Sequence, residues 1–363
     1  MFTEKDLEQI HNKGITIDQV NAQISRLKNG MSFSNLVAAA TVGKGIETYN
    51  EDEKKLLIDL YDTKKEALSI IKFVPASGAA TRMFKFLFQF LKSFNPSKES
   101  IKEYAERKND ALIEKFATDL KNFPFYNQTL EKAKLINSAF EALPEDEKCL
   151  EFVKIMLDKD GLNYSFLPKG LLPFHKYQDK AITAFQEHLF ESTLYASSNG
   201  NANLHFTVSE QHHDYFKKEL NNVKEALEKK TKITFDVSYS YQKEATETLA
   251  LTKSGQVFRK KEGSILFRPA GHGALLENLN DLNHDIIFIK NIDNIVVSDK
   301  NIEISRYKKL LAGVLIEAQE KAFSYLKKLD EGNLTDTDLK LIFLFLRYRL
   351  NNPIELDFDA LTD

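Results

Sequence analysis

The 363-residue chain contains one cysteine, Cys149, and no tryptophan. A single thiol excludes a disulfide framework and fits a reducing, cytoplasmic setting. The 50 basic and 53 acidic residues leave a formal charge of −3 with both signs spread evenly. No basic footprint therefore argues for nucleic acid. No apolar run reaches the length of a membrane span. The N-terminus, MFTEKDLEQIHNK, is charged and lacks an apolar h-region, so no signal peptide is expected. The phosphate-binding patterns G-x-x-x-x-G-K-[ST] and G-x-G-x-x-G are missing. So is the G-x-S-x-G elbow of hydrolases. There is neither an internal repeat nor a low-complexity tract.

What remains is enough chain for one large or two ordinary domains. Residues 1–66 read as helical. Thr16 with Gln19 makes a capping-box pattern and Gly30 supplies a stop. From 67 to 300 the pattern alternates. SIIKFVPAS, NLHFTVS, KITFDVSYSYQ and HDIIFIKNID are strand-like runs. Shorter runs lie around turns at Ser254-Gly255 and Glu262-Gly263. A helical, charged insertion occupies about 95–160, and residues 301–363 are helical again. Strands alternating with helices predict an α/β fold: a mostly parallel sheet sandwiched by helices, with ligands beyond the carboxyl ends of the strands.

One stretch is unusual. In FVPASGAATRMF, Phe73–Phe84, an apolar strand runs through small residues into a helix. A helix N-terminus offers free N–H groups to a phosphate, and Arg82 adds a donor fork suited to phosphate oxygens. A tight turn packed on a helix explains the same residues. A second stretch, LPKGLLPFHKY, holds Lys169 between Pro168 and Pro173. A lysine on a stiff loop is a placed charge for a phosphoryl group. A surface lysine between prolines is the plain alternative. The adjacent His212 and His213 lie among Lys and Asp on an amphipathic helix, which predicts a solvated face and not a metal site.

Taken together, SGAATRM and LPKGLLPF resemble the loop and lysine segments of nucleotidyltransferases that make nucleotide sugars. LHFTVSEQHHDYFK, YSYQKEATETLAL, FRPAGHGALLENL and IIFIKNIDNIV follow in the order found in the UTP-using branch. The chain is thus similar to UTP-dependent sugar-1-phosphate nucleotidyltransferases, the UDP-sugar pyrophosphorylases, or to a bacterial family related to them. The resemblance covers roughly residues 72–297. It implies a nucleotide-diphospho-sugar transferase-like core of GT-A or Rossmann-like type. It also implies uridylyl transfer from UTP to a sugar 1-phosphate with release of pyrophosphate. Arg82, Lys169 and His272 would be catalytic. Ala76, Ser77, Gly78, Ala79, Thr81, Gln242, Gly271 and Gly273 would hold the nucleotide, and Asp293 would carry Mg²⁺. Ser77 and Ala80 stand where that family has glycine. A nucleotide- or nucleotide-sugar-binding protein without turnover is the other expectation.

Overall fold

The computed structural model describes residues 2–30, 33–78, 80, 83–178, 180–332 and 334–352. The chain forms two compact units, Met1–Val37 with Ser69–Asp299, and Ala38–Leu68 with Lys300–Asp363.

The first unit is built on a four-stranded sheet. Its strands are β1 (Ile70–Pro75), β2 (Asn201–Thr207), β3 (Thr234–Ser240) and β4 (Ile286–Ile289). Their order is β4-β1-β2-β3, and every pairing is parallel. Central β1 is buried along its whole length, which is why its sequence, IIKFVP, does not alternate with polar residues. One face carries two helices, α1 (Ala184–Tyr195) and α2 (His213–Thr231). They bring Phe185, Leu189 and Phe216 against Val74, Leu204 and Phe206. The other face is more polar. Phe73 stacks on His205 at 5.7 Å, and His205 exchanges hydrogen bonds with Ser238 and Ser240 at 2.8 and 2.7 Å. There Asn278, from the short helix Leu276–Asn280, donates to the Ser240 hydroxyl and the Tyr241 carbonyl.

The insertion consists of helices Ile101–Lys108, Ala111–Thr118, Tyr126–Ile136 and Glu145–Leu157. With helix Lys85–Ser93 it encloses its own core, including Phe90, Tyr104, Phe116, Val153 and Met156. Cys149 belongs to this core, and burial pushes its thiol up to about 12. It is an inert apolar filler and not a nucleophile.

A unit boundary lies between Leu68 and Ser69, but the N-terminal helices Glu4–Asn12 and Ile17–Asn29 fall in the same unit as the sheet. The reason lies in their packing. Ile10, Ile15 and Val20 share a core with Leu249, Ile265 and Phe267. The Gln9 amide pairs with the Ile265 backbone in both directions at 2.9 Å. Both helices start at capping boxes, Thr3 with Asp6 and Thr16 with Gln19, and the second stops at Gly30, whose φ is 74°. The expected turns in the 248–268 region close at Gly255 and Gly263, both at positive φ.

In the second unit, helix Glu51–Lys64 meets the long helix Ser298–Asp330. A Cβ on Gly313 would lie 2.0 Å from the Leu57 carbonyl oxygen, so only glycine permits that approach. Lys309 and Asp62 pair at 3.0 Å beside it. Among the described residues no helix is long and apolar enough to cross a membrane.

Candidate functional site

The strand order reverses between β1 and β4. From β1 the chain moves outward through β2 and β3, then returns to the opposite side of β1 as β4. Such a switch point opens a crevice beyond the carboxyl ends of the strands. Here the pairing continues past the strands themselves. Lys290 N–H donates to the Phe73 carbonyl at 3.1 Å, and Ile292 N–H to that of Pro75 at 3.2 Å. Residues 76–78 and 290–293 therefore leave the sheet side by side.

Lys169 joins them. Its backbone N–H donates to the Gly78 carbonyl at 3.1 Å. Its Nζ donates to Asp293 Oδ2 at 2.5 Å. Buried Pro168 and a single 3₁₀ turn, Lys169–Leu171, hold the lysine in place. The next residue, Gly170, is closely packed. A Cβ on Gly170 would stand 2.9 Å from the Phe216 ring and 3.0 Å from Ile292. The hydrogen bond from Lys169 holds the Asp293 carboxyl below the usual carboxylate range; burial opposes this, and the field of His272 adds to it. His272 itself opens the 3₁₀ turn His272–Leu275.

The other expected residues divide. Ser77 and Gly78 are exposed, and a Cβ on Gly78, Gly271 or Gly273 would meet nothing within 4 Å. Those backbones are open to an approaching ligand. Ala76 is buried, and its N–H donates to the Thr207 carbonyl at 2.8 Å, so that donor serves the sheet. Gln242 follows the carboxyl end of β3, at the far edge of the sheet, and its amide donates to the Thr246 hydroxyl at 3.2 Å. Ala79, Thr81 and Arg82 lie outside the described residues.

The expectation of a solvated face fails for His212. It is 3% exposed. Its Nδ1 pairs with the Ser209 hydroxyl at 2.7 Å and its Nε2 with the Phe166 carbonyl at 2.9 Å. It precedes the regular helix, in a turn where it ties down the loop before Lys169. The expectation assumed that the helical period already ran through residue 212.

Sequence reasoning also missed a buried ionic cluster. Lys72, at mid-β1 and 0% exposed, donates to Glu191 Oε2 at 2.9 Å, and Lys290 pairs with the other oxygen of the same carboxylate. Burial alone would raise the Glu191 carboxyl, but Lys72 and Lys290 hold it below its ordinary value. Next to it His188 is buried, and desolvation drives its pKa well below the ordinary value. It is therefore neutral, and its Nε2 meets the Ile292 carbonyl at 3.1 Å. A signal existed. In AFQEHLFESTLY, Glu187, His188 and Glu191 stand among many apolar residues, with Glu187 and Glu191 at i and i+4.

Asp293 tests whether Mg²⁺ fits. Mg²⁺ is commonly held by one or two carboxylates completed by substrate oxygens and water. Asp293 offers one carboxylate, 40% exposed, beyond the carboxyl end of β4. Among the described residues no group of three His, Cys, Asp or Glu could hold a metal ion. Asp293 alone would face such an ion, and its carboxylate is already paired with Lys169.

Residues 3–363 match a family model described as Domain of unknown function (DUF4301). The chain belongs to this family. No curated protein and no solved structure matches it. The site therefore has to be interpreted from its own chemistry: an open loop after β1, a cation fixed to that loop, and a carboxylate at the end of β4.

Proposed function

We propose that the chain is a Mg²⁺-dependent nucleotidyltransferase that moves a uridylyl group from UTP to a sugar 1-phosphate and releases pyrophosphate. The observation that carries the reading is the meeting of Gly78, Lys169 and Asp293 at the switch point of a parallel sheet. A Rossmann-like or GT-A-like core is part of the same proposal.

In this reaction an oxygen of the sugar phosphate forms a bond to the α-phosphorus of UTP, and the bond from that phosphorus to the β-phosphate oxygen breaks. No proton transfer is required at the attacking oxygen. The protein's task is positioning and charge neutralisation. Ser77 and Gly78 let the triphosphate approach the backbone. Arg82 contributes a donor fork to the β- and γ-phosphates. Lys169 neutralises phosphate charge opposite the loop, and His272 reaches the phosphates or the sugar. Gln242, Gly271 and Gly273 line the path of the base. Asp293 would hold Mg²⁺ together with the nucleotide's own oxygens, and the ion would offset the repulsion between the two anions.

The second reading, binding without turnover, has one observation in its favour. Ala80 stands where related loops carry glycine, and its methyl is fully buried in the insertion's core. One experiment separates the two readings: pyrophosphate release on mixing protein, UTP, Mg²⁺ and a panel of sugar 1-phosphates. Release with at least one sugar supports transfer. Saturable UTP binding without release supports the binding protein.

A further inference from the structure

Six residues beyond Lys169, in the strand Pro173–Tyr177, stands a histidine that the phosphate chemistry leaves unused. His175 Nδ1 lies 2.7 Å from Glu187 Oε1, and the Tyr177 hydroxyl lies 2.7 Å from the same oxygen. Glu187 is only 3% exposed. The tautomer can be worked out from the donors. Ser298 N–H donates to the Tyr177 oxygen at 2.8 Å, and a backbone N–H can do nothing else. The Tyr177 proton is then free to be given to Glu187. Burial and the neighbouring Glu187 push Tyr177 up to about 12, so the hydroxyl keeps that proton at working pH. The carboxylate accepts, so His175 must carry its own proton on Nδ1. In the neutral ring Nε2 is then the acceptor.

This chain of donors is tied to the candidate site at two points. Glu187 precedes His188, whose ring meets the carbonyl of Ile292, the residue before Asp293. Ser298 lies five residues beyond Asp293 and opens the long helix. The imidazole is therefore fixed to the same segment that presents the carboxylate. Its side chain is partly accessible, 15% exposed, and among the described contacts Nε2 has no protein partner. An imidazole oriented by a buried carboxylate, with its second nitrogen open, is a common way to present a placed acceptor.

We propose that His175 is a sugar-contacting residue, its Nε2 accepting a hydrogen bond from a hydroxyl of the sugar 1-phosphate, with Glu187 and Tyr177 as positioning residues that fix the tautomer. The inference rests on the transferase reading. It adds a contact that selects the acceptor and not the nucleotide.

The test titrates three probes into the full chain by calorimetry: glucose 1-phosphate or N-acetylglucosamine 1-phosphate, inorganic phosphate, and Mg²⁺–UTP. His175→Ala should weaken the better-bound sugar 1-phosphate about tenfold, the scale of one lost hydrogen bond, and leave the other two unchanged. Glu187→Gln retains His175, yet its amide N–H can face Nδ1 and move the imidazole proton to Nε2. It should cause a similar loss confined to the sugar 1-phosphate. Thermal melts confirm that each variant is folded, and if one is not, the other carries the test. Sugar 1-phosphate affinity equal to wild type in a folded variant overturns the inference while leaving the transferase reading intact. A loss shared by all three probes also overturns it, since it shows general damage. If wild type binds Mg²⁺–UTP but no sugar 1-phosphate, the inference and the transferase reading fall together and the binding reading stands.

Discussion

Lys169 and Asp293 are 124 residues apart in the chain, yet their side chains meet at 2.5 Å beyond the carboxyl ends of β1 and β4. Each neutralises the other. The lysine is also fixed through its backbone to Gly78. A phosphate ligand and its cation would compete for the same two groups, which makes the pair a direct probe of the site.

The first prediction concerns the carboxylate. Asp293→Asn removes charge but not shape, and the side chain is 40% exposed, so the fold should persist. Turnover should fall by at least ~100-fold, the scale seen when one placed electrostatic group is deleted. UTP affinity measured with Mg²⁺ should fall more than affinity measured with EDTA. Equal losses in the two conditions would detach Asp293 from the metal.

Lys169→Met keeps much of the side-chain volume and removes the cation. Pyrophosphate and UTP binding should weaken about tenfold or more, in line with losing one charge-assisted contact. The loss should shrink as salt rises, because exposed charges are screened. An affinity unchanged at low salt would leave Lys169 only as the partner of Asp293.

Gly170→Ala tests the packing behind the lysine. The added Cβ would press on the Phe216 ring and Ile292 at 2.9 and 3.0 Å. Overpacking of this kind costs about 1–3 kcal/mol, which denaturant unfolding can resolve. Nucleotide affinity should also drop, since Lys169 precedes the displaced residue. Unfolding and binding both equal to wild type would show that the neighbours yield freely.

Acid stability follows from Asp6. Its two carboxylate oxygens accept from the two terminal nitrogens of Arg259 at 2.7 and 2.8 Å, and this pairing, with added bonds from Thr3, holds the carboxyl far below the usual range. A depressed folded pKa means that the contribution is complete above the unfolded value, near ~4. It is lost as pH falls through that value toward the folded one. Asp6→Asn should therefore destabilise the protein at pH 7 by about 1–2 kcal/mol, and the gap from wild type should close as pH drops below ~4. A gap independent of pH would assign the effect to packing.

Much of the fold is legible in the sequence because its periods are strong. The runs at 70–75, 201–207, 234–240 and 286–289 are the four strands of the sheet. The Thr16–Gln19 box and Gly30 bound a real helix. Lys169 and Asp293 are legible as candidates because flanking prolines and an apolar run mark them. What escapes is polar chemistry inside apolar text. Lys72 sits in a run that reads as pure core, and its burial depends on Glu191, which stands 119 residues away. The direction of the His212 ring depends on the Phe166 carbonyl, 46 residues away. The His175–Glu187–Tyr177 set requires a strand, a helix and the start of another helix to meet. No local pattern encodes such partnerships. Nor does local periodicity reveal that helices at residues 4–29 pack against residues 249–267.

The most direct measurement is pyrophosphate release by wild type and Asp293→Asn, side by side, with UTP, Mg²⁺ and a panel of sugar 1-phosphates. The account predicts Mg²⁺-dependent release by wild type with at least one sugar, abolished by EDTA and reduced at least ~100-fold in the variant. No release by wild type with any sugar, or release of equal rate in the variant, would contradict it.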